Sequence, residues 1–246
     1  FTEGQTSRRD ATRKWVDKGY DFERRSSIVE AGGFSREAYG ELADLGLTGL
    51  YIAEDDGGIG MGPVEGMVVM EELGRGIVLE PFAQTLIASG VLSAHAPQAV
   101  KAASLPKIAS GESLVVLAYQ ERAARYHFEK CEAKAASAQD GWALTAIKNI
   151  VPAGDQADAF IVPAMADGQM ALFLVERTAT GVTTRGYGTQ DGARAADLTL
   201  DNAPASLITL EGLGALAHAI DIGIAAACAE AVGVMDKTLA VTVEYM

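Results

Sequence analysis

The apolar positions change their period near the middle of the chain. Up to Pro106 they recur every three to four residues, the spacing of one helix face; beyond it they alternate or run in short blocks. The clearest helix lies in "GFSREAYGELADLG". Ser35 is its N-cap, Phe34 and Tyr39 stand at the spacing of a hydrophobic staple, Leu42 and Leu45 continue the apolar face, and Gly46 stops it. Ala11, Trp15 and Val16 mark a helix within Ser7 to Tyr20. Pro63, at a first helical position, opens another that reaches about Leu73, and Ala83 to Ala94 reads as a fourth.

After Pro106 the pattern is of strands: Leu114 to Ala118, Gly141 to Val151, Ala159 to Val162, Ala171 to Val175, Gly181 to Arg185 and Ala195 to Leu200. No helical period separates them, which predicts an antiparallel meander or a small barrel rather than a parallel sheet with crossover helices. Leu213 to Tyr245 then reads as one helix, about 50 Å long at the standard rise. It is rich in Ala and Gly and apolar on more than one side, so it calls for partner helices, from further chain or from another subunit. The fold class is α+β, in three parts: helical 1–105, a central β part 106–208, and at 209–246 the first helix of a C-terminal helical part.

Composition narrows the partners. A net charge of -13 over 246 residues argues against nucleic acid, which is held by Lys and Arg. Cys131 and Cys228 are far apart with no CxxC, so no metal knuckle or disulfide framework is signalled and a cytoplasmic location fits. No secretory signal stands at Phe1. His218, Asp221, Glu230, Asp236, Lys237 and Glu244 interrupt the long C-terminal helix, which reads as buried and soluble, with no membrane span.

Three places invite chemistry. Gly57, Gly58, Gly60 and Gly62 suggest a dinucleotide loop, but the spacing is not GxGxxG and Glu54, Asp55 and Asp56 would repel a pyrophosphate, so a structural loop is the better reading. His95, His127 and His218 lie in separate segments without ligand spacing, which points to structural or surface roles and no metal site. The strand Leu114 to Ala118 ends in Tyr119, Gln120 and Glu121. An aromatic ring, an amide and a carboxylate there can read a ligand edge, or mark an ordinary strand turning outward. A second strand ends oddly in "KNIVPAGD", where apolar residues persist as the strand should be giving way to solvent.

In combination, "LADLGLTGLYIAEDDGGIGMG", "VVMEELGRG", "LAYQE", "GWALTAIKNIVPAGDQADAFIV", "FLVE", "GVTTRGYGTQDGARAADLTLDNA" and "AIDIGIAAACAEAVGVMDKTLAVTVEYM" resemble the acyl-CoA dehydrogenase family over essentially the whole chain. The likeness is strongest to the small subunit of bacterial heteromeric enzymes of the pimeloyl-CoA or steroid side-chain kind. It implies an N-terminal α domain, a central β domain and a C-terminal helical domain, with FAD between the last two. It implies α,β-desaturation of an acyl-CoA, an electron-transfer flavoprotein as acceptor, and a homo- or hetero-oligomer, dimer or tetramer. By the same resemblance Leu117, Tyr119, Gln120, Ile150, Val151 and Pro152 line the flavin, and Arg125 falls near the CoA moiety. The family's catalytic Glu is expected beyond Met246, so no catalytic base is named. The sequence departs from the family pattern at Ile150, where an aromatic ring is usual, and at Gln120 and Pro152, where hydroxyls are usual. These departures raise a second reading, a non-catalytic partner subunit.

Overall fold

The computed structural model describes residues 1–138 and 141–246. Its N-terminal part is helical: α1 (Glu3–Gly19), α2 (Phe22–Glu30), α3 (Arg36–Asp44), α4 (Pro63–Arg75), α5 (Phe82–His95) and α6 (Gln98–Ala109). The α3 expectation holds in detail. Ser35 Oγ accepts from the Ala38 N–H at 3.2 Å, the Phe34 and Tyr39 rings are 6.2 Å apart, and Gly46 has φ +72°. Tyr39 is fully buried with its hydroxyl 2.9 Å from Thr85 Oγ1, and burial pushes its phenol up to about 12. The glycines after Asp56 turn the chain into α4, which starts at Pro63.

Two helices were not in the apolar pattern. α2 is mostly polar and buries Ile28 alone, so it shows no stripe. α6 runs through Pro106, where the pattern changes; the carbonyl that proline leaves without a partner belongs to Ala102, on the exposed side, so water can serve it.

The strands are β1 (Val115–Leu117), β2 (Lys134–Ala138), β3 (Gly141–Pro152), β4 (Ala159–Ala166), β5 (Gln169–Glu176), β6 (Val182–Gly188) and β7 (Arg194–Thr209). They close a small barrel: β4 pairs with β2, β2 with β3, β3 with β7, β7 with β5, and β5 returns to β4. β1 and β6 extend its wall beside β4 and β7. The antiparallel expectation needs correction at one seam, because β1 and β2 both run parallel to β4. β2 itself escaped the sequence pattern because its small residues are largely exposed and bury no large side chain.

Alternation along β1, β4 and β5 divides the core in two. Val116, Phe160, Val162 and Phe173 fill the barrel, whereas Val115, Leu117, Ile161 and Leu172 face Ile87, Val91 and Leu216 of the helices. Both faces of β4 and β5 are therefore dry, which explains their nearly unbroken apolar sequence.

The long helix α7 (Gly212–Tyr245) forms as expected. It packs on β5, α5 and α4, and Gly74 and Gly233 let α4 and α7 meet backbone to backbone: a Cβ at either would strike the facing main chain. The expectation of a buried helix is corrected. Only 28% of its most apolar window is buried, and by length and composition it could cross a membrane. Met235, Leu239, Val241 and Val243 are exposed.

Candidate functional site

The two odd strand ends lie side by side. The Asn149 N–H donates to the Gln120 carbonyl at 2.9 Å, joining the chain after β1 to the end of β3. Beneath that link, Lys148 Nζ meets Glu121 Oε1 at 2.6 Å and donates to the Pro163 carbonyl at 2.8 Å. Glu121 also accepts from the backbone N–H of Glu132 at 2.6 Å and of Ala133 at 3.2 Å. Lys148 is 0% exposed and Glu121 6%. Burial pulls the Glu121 carboxyl upward, but the Lys148 ammonium and the two N–H groups outweigh it and hold the carboxyl below the usual range. At the neighbouring Cys131 thiol burial outweighs the lowering pull of the same Lys148, and the thiol is raised.

Above the ion pair, β3 bulges. Lys148 pairs with Leu198 and Val151 with Ala196, so Asn149 and Ile150 together stand opposite Asp197. The Asn149 amide donates to Asp197 Oδ1 and Arg185 to Oδ2, each at 3.1 Å. The Asp197 carboxyl is lowered by the Asn149 amide first, with Arg185 and the Ile150 N–H adding. Ile150 itself has φ +53°, a conformation that β-branched side chains rarely adopt and that costs on the order of 1–3 kcal/mol. The result is an inverted exposure: Ile150 stands out at 59% while Val151 is buried at 1%.

Ile150 stands in a cleft of about 300 Å³. All six residues of the two strand ends, Leu117, Tyr119, Gln120, Ile150, Val151 and Pro152, line it. The facing walls come from Gln84 and Ile87 of α5 and from Ala219, Ile220, Gly223, Ile224 and Ala227 of α7. Gln84 Oε1 accepts from the Leu117 N–H at 3.0 Å and so ties α5 to β1. Gln120 Nε2 lies 3.3 Å from the Tyr119 hydroxyl, leaving amide capacity at the cleft. Pro152 offers neither N–H nor hydroxyl. Among the described residues no Asp or Glu lines the cleft. Arg125 sits elsewhere, exposed on the loop after Glu121 with φ +52°, and lines neither this cleft nor its neighbours.

A wider trough of about 1040 Å³ opens on the other side of the bulge, between Arg122, Lys134, Arg185, Asp197 and Asp201; Asn149 lines both spaces. The helix walls and the Glu121–Lys148 pair were not legible in advance. The small residues spaced along α7 were the available signal for its wall, but nothing in the sequence couples Glu121 to a lysine twenty-seven positions on. Two of the three histidines also meet: His95 Nε2 and His218 Nδ1 are 3.1 Å apart where α5 crosses α7, and burial, then His218, lowers His95.

Residues 2–112 match the family model "Acyl-CoA dehydrogenase, N-terminal domain". Acyl-CoA dehydrogenase FadE27 of Mycobacterium tuberculosis is 26% identical over 216 residues, covering 86% of this chain and 56% of that protein. The chain thus spans little more than half the length of this relative. A solved steroid ACAD variant, Tcur3481-Tcur3483, superposes with a TM-score of 0.89 at 27% identity, over 99% of this chain and 66% of that one. The ChsE4-ChsE5 complex of Mycobacterium tuberculosis gives 0.87 at 25% identity, over 100% and 67%.

Proposed function

We propose that the chain, whose residues 2–112 match the acyl-CoA dehydrogenase N-terminal domain, works as a FAD-dependent acyl-CoA dehydrogenase, or as one subunit of such an enzyme, desaturating an acyl thioester between its α and β carbons. The observation that carries this reading is the meeting of six residues from two distant strand ends in one cleft against α5 and α7. Their chemistry fits a flat, mostly apolar ring system with polar edges. Leu117, Ile150, Val151 and Pro152 offer shape, and Tyr119 and Gln120 offer a hydroxyl and an amide. The strained backbone at Ile150 holds one of those shape contacts out of the sheet and into the cleft. FAD bound there would supply a hydride acceptor for the substrate's β carbon.

This chain's own residues bind and orient. The buried Glu121–Lys148 pair fixes the spacing of the two strand ends, and α5 and α7 wall the cleft on its other side. The carboxylate that takes the α proton comes, in this proposal, from outside the cleft lining described above, and the electron acceptor is an electron-transfer flavoprotein. Heteromeric assembly is part of the proposal, in keeping with the two-protein names of both solved structures. The test is the purified full-length protein, with its partner. Flavin absorbance and reduction of a dye by an acyl-CoA are expected, and the absence of both sinks the reading.

One observation favours a second reading. Pro152 can donate nothing and the Gln120 amide lies against Tyr119, so the cleft offers few hydrogen bonds to a flavin. In that case the chain keeps the fold in order to stabilise a catalytic sister subunit. A mixed assembly in which only one subunit's cleft is blocked by Gly223→Trp decides: turnover that survives blocking this chain supports the partner role.

A further inference from the structure

Asp197 stands across the ladder from Asn149 and Ile150 together, and regular pairing resumes only at Lys148 with Leu198 and at Val151 with Ala196. Its side chain supplies the hold that the ladder lacks there. Oδ1 accepts from the Asn149 amide and Oδ2 from Arg185, each at 3.1 Å, and the Ile150 N–H also acts on the carboxylate. These donors keep the carboxyl below its usual range, so it is charged at neutral pH. Hydrogen bonds to an ionised group are about twice as strong as neutral ones.

Asp197 lines the trough and not the cleft. The residues it holds do reach the cleft. Its carboxylate fixes the Asn149 amide, the Asn149 N–H donates to the Gln120 carbonyl at the polar edge of the cleft, and Ile150 is the apolar wall. Lys148 and Val151, both buried, pin the strand on either side of the bulge, but two anchors leave the residues between them free to settle. A β-branched residue at φ +53° is disfavoured, so Ile150 relaxes unless a neighbour holds the turn. Among the described residues, Asp197 is the one side chain that hydrogen-bonds to the bulge.

We propose that Asp197 is a positioning residue for the cleft: acting through Asn149 and Ile150 from the trough side, it keeps the Ile150 side chain against the bound ring. The inference rests on the flavin reading above and names the group, outside the cleft, that sets its wall. The residue type follows from the partners. Asp197 meets two side-chain donors with two acceptor oxygens. Asparagine keeps one oxygen for Asn149 and releases only Arg185, whose side chain is 79% exposed and can turn to water, whereas leucine serves neither.

The test is the dissociation constant of FAD, from quenching of its fluorescence, for the full-length protein assembled with its partner and freed of flavin. Asp197→Leu should weaken FAD about tenfold and shift its visible absorption band, which reports what touches the ring. Asp197→Asn should restore the band and bring the affinity to within about threefold of native. In an Ile150→Gly background, where no side chain is left to position, Asp197→Leu should weaken FAD less than about twofold. Asp197→Ser, whose hydroxyl is one bond too short for the Asn149 amide, gives the same readings should leucine at this place fail to fold. An Asp197→Leu protein that binds FAD as the native one does, or an equal loss with and without the Ile150 side chain, overturns this inference alone. A native assembly that binds no FAD overturns the flavin reading with it.

Discussion

Lys148→Met tests what fixes the cleft. Lys148 is wholly buried and makes contacts of 2.6 Å to Glu121 Oε1 and 2.8 Å to the Pro163 carbonyl, so the substitution strands a carboxylate that is 6% exposed. Removing one partner of a buried pair costs about 3–5 kcal/mol. The double variant Lys148→Met with Glu121→Gln leaves no uncompensated charge, although the single amide oxygen can serve only one of the Glu132 and Ala133 N–H groups that the two carboxylate oxygens now share. It should recover about 2 kcal/mol or more of that loss. The pH dependence separates charge from packing. In the native protein the Glu121 carboxyl is lowered, so its contribution is present above the unfolded carboxylate pKa of about 4.3 and is lost as pH falls through the lower folded value. In Lys148→Met burial is left as the dominant influence and the carboxyl is raised. Its penalty then grows as pH rises above the unfolded value, and the variant is hurt more at pH 7.5 than at pH 5. Urea denaturation of the full-length protein at both pH values measures this. A single-variant loss below about 1 kcal/mol, or a double variant no more stable than Lys148→Met, would refute the reasoning.

Ile150→Gly should stabilise the fold by about 0.5–1 kcal/mol in thermal denaturation, because it relieves the φ +53° strain and removes a side chain that is already 59% exposed. The same change should weaken flavin retention on gel filtration, since it deletes a wall of the cleft. Gly233→Val should cost more than about 3 kcal/mol by driving a side chain into the α4 main chain at Glu71; a variant melting at the native temperature would contradict the backbone contact. Burial raises the Glu80 carboxyl, so its favourable contribution is present below the unfolded pKa and is lost as pH rises through the folded one. Glu80→Gln should therefore stabilise the protein more at pH 8 than at pH 5, read as the difference in urea midpoint.

Much of the fold could be read from local chemistry, because α3 and α4 carry their caps within a single turn of their ends and α5 is a long apolar run. The parallel seam could not, since β1 and β4 each look like any apolar strand and only the closed ring sets their direction. The site divides in the same way. The strand ends showed themselves as apolar residues where polar ones belong, and family resemblance joined them. The Glu121–Lys148 pair depends on side chains brought together from different elements, for which no spacing rule exists. For α7, the same small and apolar residues serve packing against α4 and lie bare further on, so composition alone overstated its burial.

The bulge at Asn149 and Ile150 also bears on how such a protein can change. Lys148 and Val151 both point inward although they are an odd number of residues apart, and the added residue makes this possible. Deleting Ile150 restores plain alternation: the lysine stays on its glutamate, Val151 and Leu144 stay in the barrel, and the outward wall of the cleft is gone. A loss of three nucleotides at this point is thus enough to remove the cleft's outward wall while the core stays intact.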